Sequence, residues 1–420
     1  MSLIIIIIFA LLYFFLSWKQ TLFAAYLIIT ALPAYIISFR VGPLPSTVLE
    51  AMILILFLVL LCQRKIDWKK FYRQPFFWPL LAVLIISLFS AIISPNHLGA
   101  LGIWRAYFLE SVIFFLCLLS LIKTRKELNG IFWALGVAAL YLTVFCFWQK
   151  FSGWAVPKAF LKPDGSVDRV VGVFGYPNAL GLYLGPIVIL FTGWLALGGK
   201  KFWPVIFKIA VIVFGFMVIV LAQSEAAILA ILVVWFLLML YFKKTRILAL
   251  ILLAISVIIL VADQPLRAFI FEKIFLHDWS GMVRRQIWVE TINMLHDHWL
   301  FGAGLAGYQT VIVPYHTSAN WMEIYLYPHN IIMNFWSELG LLGLLAFIWL
   351  IVKYFWTNIA GAWRNVSKEA RLVSVTLVAV MLEIIIHGLV DVPFFKNDLS
   401  VLFMIILAVV AINWSLVKES

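Results

Sequence analysis

The chain has 420 residues, of which 65% are hydrophobic and 12% are charged, and its mean hydropathy is +1.08. This composition leaves too little polar surface to cover a water-soluble globule, so it excludes a soluble globular protein and indicates a polytopic membrane protein. The formal net charge of +12 is typical of a membrane protein whose basic residues set its topology and contact anionic lipids. Because the sequence offers no soluble basic face, we expect no nucleic-acid partner.

Apolar segments long enough to cross a membrane recur along nearly the whole chain. A helix needs about 20 apolar residues to cross roughly 30 Å of hydrocarbon, and only helices or closed barrels satisfy the backbone there. We therefore expect an all-α fold, a polytopic transmembrane bundle of about 12–13 helices, with the short first segment leaving twelve as the alternative. The predicted segments are 3–17, 21–38, 46–62, 76–94, 101–122, 130–149, 172–197, 203–222, 226–242, 246–262, 330–352, 371–390 and 398–416.

Lys and Arg lie mostly in the short connections on one side, which we expect to be cytoplasmic. These basic connections are 63–74, 123–128, 199–201, 243–246 and 353–371. The topology divides the chain into residues 1–262 with helices 1–10, an outer loop at 263–329, and residues 330–420 with helices 11–13 and a cytoplasmic tail. A second outer loop is expected at 150–171.

The long outer loop is expected to fold over the bundle, because a simple connector would be shorter. Within it, VRRQIWVETINML (283–295) has apolar residues near helical spacing and predicts an interfacial amphipathic helix. We expect the arginine pair and Glu290 away from its apolar face, which should carry Val283, Ile287, Ile292 and Leu295. All seven histidines lie on the predicted outer side or at the outer ends of segments.

Ionisable residues inside apolar segments are costly and are therefore usually paired or functional. We expect Glu50 and Glu110 to be paired for structural reasons, and Glu338 to give structural support about 13 Å below the outer end of its segment. Asp391 and Lys396 are expected to pair near the mouth of the last hairpin, with substrate contact as the alternative. The sequence contains no C-x-x-C, D-x-D or Gly-rich phosphate loop, so we expect no metal site and no cofactor.

Residues 327–347 read YPHNIIMNFWSELGLLGLLAF and place a polar triplet at the outer mouth of the eleventh segment. The proline cannot extend a helix backwards, and the glycines further in permit close helix approach. The spacing is His329-Asn330, nine residues, Gly340, two residues and Gly343. This pattern resembles the H-[NSQ]-x9-G-x-x-[GTY] signature of the O-antigen ligase and O-antigen polymerase superfamily.

Three further stretches resemble the same superfamily in the same order. They are VVGVFGYPNALGLYLG (170–185), GMVRRQIWVETINMLHDHWLFGAGLAGY (281–308) with an Arg-x-x-x-Trp helix and a Gly-x-Gly turn, and HGLVDVPFFKNDLSVLF (387–403). One departure is Glu225, because relatives often carry Ser-Arg where this chain has AQSEAAILA (222–230). If that arginine binds donor phosphate in relatives, this chain must supply the positive charge from another position.

The resemblance implies a GT-C-like bundle and a glycosyltransferase of cell-envelope polysaccharide biosynthesis. Such a protein is multi-pass in the bacterial inner (cytoplasmic) membrane, among membrane lipids, with its active site on the outer, periplasmic face. It transfers a glycan, with inversion and without metal, from a polyprenyl pyrophosphate carrier such as undecaprenyl pyrophosphate to a hydroxyl on a glycan, lipid or protein acceptor. A protein O-oligosaccharyltransferase of the same superfamily and a transporter or flippase of lipid-linked glycans remain as alternatives. The sequence shows no internal repeat, and chemistry concentrated on one face favours an enzyme.

The candidate site residues follow from the resemblance and from the chemistry of such a transfer. A departing pyrophosphate needs fixed cations, and the planar fork of arginine suits phosphate oxygens. We expect His329 to act as the catalytic base or orienting group and Arg284 to stabilise the leaving group. The residues expected to bind substrate are Arg285, Arg169, Asn178 and Asn330.

Overall fold

The computed structural model describes residues 3–41, 44–198, 201–317, 326–363 and 367–419. Within these ranges the chain is almost entirely helical, and its one sheet is an antiparallel pair of strands, β1 (Ser38–Val41) and β2 (Leu44–Thr47). The helices are α1 (Leu3–Lys19), α2 (Thr21–Thr30), α3 (Val48–Cys62), α4 (Trp68–Arg73), α5 (Phe77–Ile93), α6 (His97–Ile103), α7 (Glu110–Leu121), α8 (Arg125–Ser152), α9 (Pro177–Ala196), α10 (Phe202–Leu221), α11 (Glu225–Tyr241), α12 (Lys243–Ala262), α13 (Gln264–Ile274), α14 (Trp279–Asp297), α15 (Tyr308–Val311), α16 (Ile331–Trp363), α17 (Lys368–Gly388) and α18 (Asn397–Glu419).

The expected all-α membrane bundle is confirmed, because every predicted apolar segment contains a helix. Among the described residues, eight helical spans are long and apolar enough to cross a membrane. They are α6 and α7 read together as His97–Leu121, then α8, α9, α10, α12, α16, α17 and α18. Five further apolar helices, α1, α2, α3, α5 and α11, are shorter than these spans.

The second predicted segment, 21–38, differs from the expected single helix. Helix α2 ends at Thr30, and a 3₁₀ turn at Leu32–Ile36 leads into β1. Pro33 in that turn has no N–H to donate to a continuing helix, which explains the early end. The strand pair then returns the chain to α3, whose first turn is capped by the side chain of Thr47.

Three helices form the centre of the bundle. The apolar window of α9 is 83% buried, that of α18 is 78% buried and that of α17 is 67% buried, whereas that of α12 is only 6% buried. Helix α9 packs against α10 and α17, α17 packs against α16, and α18 packs against α7. Polar residues on α16 and α17 therefore lie inside the protein, while α12 faces the lipid.

Two of the buried acidic residues share one cation, as expected. The guanidinium of Arg105 lies 2.6 Å from the carboxylate of Glu50 and 3.2 Å from that of Glu110. The side-chain amide of Asn397 also donates to Glu50, at 2.7 Å. These contacts join the starts of α3, α7 and α18, so the two carboxylates stabilise the bundle.

Helix α16 is interrupted at Gly340, whose φ of +73° is a left-handed conformation. The interruption leaves helical carbonyl and amide groups without partners inside the bundle, where each unpaired group is costly. Those partners come from the described part of residues 263–329, which we call the outer segment. The Ala303 N–H donates to the Ser337 carbonyl at 2.7 Å, and the Leu341 N–H donates to the Leu300 carbonyl at 3.1 Å. A Cβ on Gly340 would lie 2.2 Å from that Leu300 oxygen, so glycine is required there.

The outer segment also satisfies Glu338, in agreement with the structural role expected for it. The carboxylate of Glu338 accepts the N–H of Ala306, and its backbone carbonyl accepts the hydroxyl of Ser90 on α5. The indole of Trp336 donates to the carbonyl of Trp299 at 2.7 Å. The outer segment is thus anchored between α5 and α16.

Helix α14 exists as predicted, and Ile287 and Leu295 are buried as expected, but Glu290 and Ile292 differ from the expected pattern. Glu290 is fully buried, whereas Ile292 is 55% exposed. The Glu290 carboxylate lies 2.9 Å from the His316 ring and accepts the Thr317 N–H at 2.8 Å. Burial alone would raise the pKa of Glu290, but these hydrogen bonds outweigh burial and lower it. A hydrophobicity pattern could not anticipate partners that come from a distant part of the loop.

Candidate functional site

His329 faces a buried carboxylate from the other side of the bundle mouth. Its Nδ1 lies 3.6 Å from Oδ1 of Asp391, within ion-pair distance but longer than a hydrogen bond. The Asp391 side chain is 1% exposed and that of His329 is 24% exposed, so the imidazole is the accessible member of the pair. Asp391 also accepts the Val392 N–H at 2.9 Å, which fixes the carboxylate.

The backbone around His329 holds this pair in place. His329 adopts a left-handed φ of +48°, which is uncommon for a residue other than glycine. Asn330 caps α16 by accepting the N–H groups of Ile332 and Met333, and its amide donates to the Leu389 carbonyl at 2.9 Å. The start of α16 is therefore tied to the end of α17, two residues before Asp391.

Helix α14 docks against the same mouth through the Arg-x-x-x-Trp spacing. Residues four apart lie on one face of a helix. From that face, Arg284 Nε donates to the Val390 carbonyl at 3.1 Å, and the indole of Trp288 donates to the Pro328 carbonyl at 2.9 Å. A third contact joins Arg284 Nη1 to the Ser280 hydroxyl at 2.6 Å. Among the described residues, none accepts a hydrogen bond from Arg284 Nη2.

Arg169 is held in a fixed orientation by the end of α10. Its Nε donates to the Ala222 carbonyl at 2.9 Å, and its Nη2 donates to the side-chain oxygen of Asn178 at 3.0 Å and to the Gln223 carbonyl at 3.3 Å. The amide of Asn178 in turn donates to the hydroxyl of Tyr176 at 3.1 Å. Burial lowers the pKa of Arg169, and the nearby charge of Arg284 lowers it further.

These two arginines line one cavity of about 290 Å³ between the outer segment and the bundle. The cavity also contains Lys273 of α13 and the carboxylates of Glu225 and Asp278. Its remaining walls are formed by Asn178, Gln223, Ala226, Leu229, Ile274, Leu276, Ser280 and Val390. With three cationic and two anionic side chains in its lining, the cavity has a net positive charge.

Lys273 accounts for the unexpected Glu225. Its ammonium lies 2.8 Å from the Glu225 carboxylate and 2.9 Å from that of Asp278. Burial lowers the pKa of Lys273, but the two carboxylates outweigh burial and raise it. The side chain therefore stays charged and brings a cation to the position where the sequence has an acid.

Two tyrosines belong to the same electrostatic cluster. Burial and the charge of Asp391 raise the pKa of Tyr176 to about 12, and the same two causes raise the pKa of Tyr327 well above its usual value. Arg284 opposes the shift at both phenols. Both hydroxyls therefore stay protonated at neutral pH, and a hydrogen bond to Asp391 contributes to the raised pKa of Tyr327. The ring of Tyr327 lies 4.5 Å from that of His329, centroid to centroid.

Burial raises the pKa of the Asp391 carboxyl, but His329, His387 and the Val392 N–H together outweigh burial and hold it below its usual range. The carboxylate is therefore charged at neutral pH. Asp391 does not pair with Lys396, contrary to the expectation from sequence. The ammonium of Lys396 instead lies 3.8 Å from Asp398 and over the ring of Phe174.

Four of the six candidate residues meet at this mouth in roles open to a ligand. Arg169, Asn178 and Arg284 line the cavity. Val390 also lines it, and the next residue in the chain is Asp391, which faces His329. Asn330 is also at the mouth, but its amide atoms serve as a cap and a tie. Arg285 lies on the exposed side of α14, and the described residues give it no ion pair.

Sequence reasoning missed Tyr176, Tyr327 and Lys273, and it left Asp391 as an alternative. Tyr327 could have been suspected, because it stands two residues before His329 in the quoted motif. The pairing of Lys273 with Glu225 carried no local signal, since the two residues are 48 positions apart.

Comparison with known proteins adds one finding. Residues 180–348 match the family model described as O-antigen ligase, a range that includes Lys273, Arg284 and His329. No curated protein shows a significant match to the chain. The matched range begins within α9 and ends in α16, so it contains the outer segment and the interrupted helix that form the mouth. The family match, on a helical membrane bundle with this outer mouth, supports the resemblance of the chain to the O-antigen ligase superfamily.

Proposed function

We propose that the protein is a metal-independent glycosyltransferase that transfers a glycan from a polyprenyl pyrophosphate carrier to an acceptor hydroxyl at the outer leaflet. The observation that carries this proposal is the juxtaposition of the cationic cavity and the His329–Asp391 pair, which Val390 and Asp391 join as consecutive residues. A transfer of this kind needs an anion site for the leaving group and a base for the acceptor, side by side.

The cavity fits the leaving group of such a donor. Arg169 and Arg284 are both held by backbone carbonyls, so their remaining N–H groups are oriented before a ligand arrives. Two nearby guanidinium groups repel each other, and a pyrophosphate between them would relieve that repulsion. Leu229 and Ile274 in the wall are 57% and 65% exposed, which suits an attached polyprenyl chain.

The His329–Asp391 pair fits the acceptor side. Because Nδ1 of His329 faces Asp391, the carboxylate favours the tautomer with its proton on Nδ1 and leaves Nε2 as the proton acceptor. The acceptor oxygen bonds to the anomeric carbon while the bond from that carbon to the pyrophosphate oxygen breaks. The hydroxyl proton passes to Nε2, and Asp391 stabilises the resulting imidazolium. The pyrophosphate leaves as an anion held by the two arginines.

The proposed site lies on the outer face of a bacterial inner membrane. The basic connections predict the cytoplasmic side, and the segments 150–171 and 263–329 are then outside. The acceptor class stays open between a glycan, a lipid and a protein hydroxyl, because the cavity residues recognise the donor.

The test is an assay of the purified protein in vesicles with a polyprenyl pyrophosphate glycan and candidate acceptors, measured as released carrier per inserted protein. We expect His329→Ala to lose about 10²–10⁴-fold in rate, the range for general base catalysis. Arg284→Ala should lose comparably, and Arg284→Lys should recover part, because the charge returns without the fork.

Arg267→Ala is the matched control, because Arg267 is an exposed arginine of α13 outside the cavity. It should keep the normal rate. A His329→Ala protein that retains more than about half of the normal rate would contradict the proposed base. Glycan that crosses the vesicle membrane with its carrier intact, without any released carrier, would instead support a transporter.

A further inference from the structure

A second and larger cavity lies at the opposite, predicted cytoplasmic end of the bundle. Its volume is about 750 Å³, and it lies between helix α4, the end of α7 and the end of α18. Trp68 and Tyr72 of α4 are 44% and 57% exposed, and Trp78 at the start of α5 is 65% exposed. Exposed aromatic residues of this kind mark the level of the lipid headgroups.

The walls of this cavity are strongly basic. Five cationic side chains line it, against one carboxylate. The cations are Lys69, Lys70, Arg73, Lys123 and Lys418. The one acid, Asp67, caps α4 by accepting the Lys70 N–H at 2.8 Å. Outside the wall, Glu127 accepts the backbone N–H of Lys123 at 2.8 Å.

Several of these cations have no acidic partner in the protein. Among the described residues, no carboxylate lies within ion-pair distance of Lys69, Arg73 or Lys418. The ammonium of Lys418 lies 3.9 Å from the centre of the Trp414 ring, which orients it over the cavity wall. An anionic group that enters the cavity would therefore meet uncompensated charge.

The rest of the lining is mixed, with Gln74, Ser120 and Ser415 beside an apolar part that can contact the chain of an amphiphile. Leu119, Ala411 and Leu416 contribute the hydrocarbon surface. A smaller cavity of about 210 Å³ adjoins this basic cavity, shares Arg73 and Trp414 with it, and adds Lys353 and Trp356. Trp356 is 67% exposed, so the smaller cavity reaches toward the lipid.

We propose that these adjoining cavities bind the headgroup of an anionic phospholipid of the cytoplasmic leaflet, with phosphate on the basic side chains and acyl chain along the apolar wall. A phosphate-bearing lipid matches the positive charge, the apolar wall and the level of the site at the same time. A soluble phosphate matches only the charge. This proposal is independent of the chemistry at the outer mouth.

The experiment compares phospholipid retention by the purified full-length protein, measured by native mass spectrometry and by thermal unfolding in detergent. The probes are phosphatidylglycerol, phosphatidylcholine and inorganic phosphate. The test variant is the triple change Lys69→Gln, Arg73→Gln and Lys123→Gln. The control is Lys65→Gln, Lys126→Gln and Lys244→Gln, which removes the same charge from the same side but outside the cavities.

We expect wild type and control to retain phosphatidylglycerol and to unfold at a higher temperature with it than with phosphatidylcholine. The test variant should bind it on the order of 10²-fold more weakly, from about fivefold for each basic residue near an anionic surface. If the triple variant fails to insert, the single change Arg73→Gln, at the position shared by both cavities, should weaken retention by about fivefold.

Equal weakening in test and control variants would overturn the site, since it would reflect general surface charge. Equal protection by phosphatidylcholine would overturn the anionic requirement. Equal protection by inorganic phosphate would overturn the lipid as the ligand.

Discussion

Replacing Asp391 with asparagine tests whether the buried carboxylate works through His329. The change is isosteric, and the asparagine oxygen can still accept the Val392 N–H, so the fold should persist. At 3.6 Å, a carboxylate and an imidazolium attract by about 5 kcal/mol at an effective dielectric constant of about 20. The partial exposure of His329 reduces this to about 3–4 kcal/mol, which corresponds to a rate loss of about 10²–10³-fold.

The assay is released carrier per inserted protein for four proteins: wild type, Asp391→Asn, His329→Ala and the double variant. If Asp391 acts through His329, the double variant should be no slower than His329→Ala alone, because residues that act as a unit are not additive. Losses that multiply in the double variant would refute the reasoning, and so would an Asp391→Asn protein with more than about half of the normal rate.

The pH dependence follows from the direction of the Asp391 shift. Its pKa is held below the usual value of 3.8, so the carboxylate and its contribution to stability are present above that pH and are lost only as the pH falls through the lowered pKa. Asp391 therefore stays charged between about pH 5 and 8, and its titration should cause no change in the wild-type rate in that range. The measurement is the pH–rate profile of wild type beside Asp391→Asn.

Glu225→Gln should leave Lys273 paired with Asp278 alone and lower the KM for the donor, whereas Lys273→Ala should raise that KM; an unchanged KM in both variants would remove Lys273 from the donor site. Arg285→Ala should keep a near-normal rate if the cavity defines the donor site, and a rate loss as large as that expected for its neighbour in the chain would restore the expectation from sequence. Gly340→Ala should destabilise the bundle by roughly 1–3 kcal/mol or more, read as a lower unfolding temperature, because alanine disfavours the left-handed conformation; a wild-type unfolding temperature would contradict the interrupted helix. A cysteine at Lys69 should stay unmodified by impermeant reagent in intact cells, and its labelling would reverse the predicted topology.

The helices were predictable from sequence because lipid is a uniform solvent. A span needs a long apolar run whatever its neighbours are, so each run predicts a helix by itself. The exception at 21–38 arose where Pro33 removed a backbone donor, a local effect that hydropathy does not record. The interruption at Gly340 was also beyond a hydropathy pattern, because it depends on the partner loop that fills it.

The site was predictable only where its signal was local. His329 and Arg284 stand in short motifs, whereas the partner of His329 is 62 positions further along the chain at Asp391 and belongs to another helical hairpin. A single sequence cannot show which of several polar residues at the mouth will meet. The same limit explains Glu290, which looked like a solvent-facing acid until residues 316 and 317 were seen to surround it.

The two consecutive arginines of α14 show how docking contacts decide a role that composition and spacing leave open. Arg284 and Arg285 stand four and three positions before Trp288, and both spacings lie near the face of the helix that carries the indole. The contacts separate them, because Arg284 donates to the Val390 carbonyl beside the indole contact with the Pro328 carbonyl, while Arg285 is exposed. Once docked, Arg284 uses Nε for the Val390 carbonyl, and Nη2 is the atom that we propose for ligand contact. A rotation of α14 that exchanged the two arginines would break the tryptophan contact as well, so the same contact that anchors the outer segment also orients the guanidinium. In the proposed function, the docking of the outer segment therefore organises the anion site before any donor binds, which is the arrangement that electrostatic stabilisation of a leaving group requires.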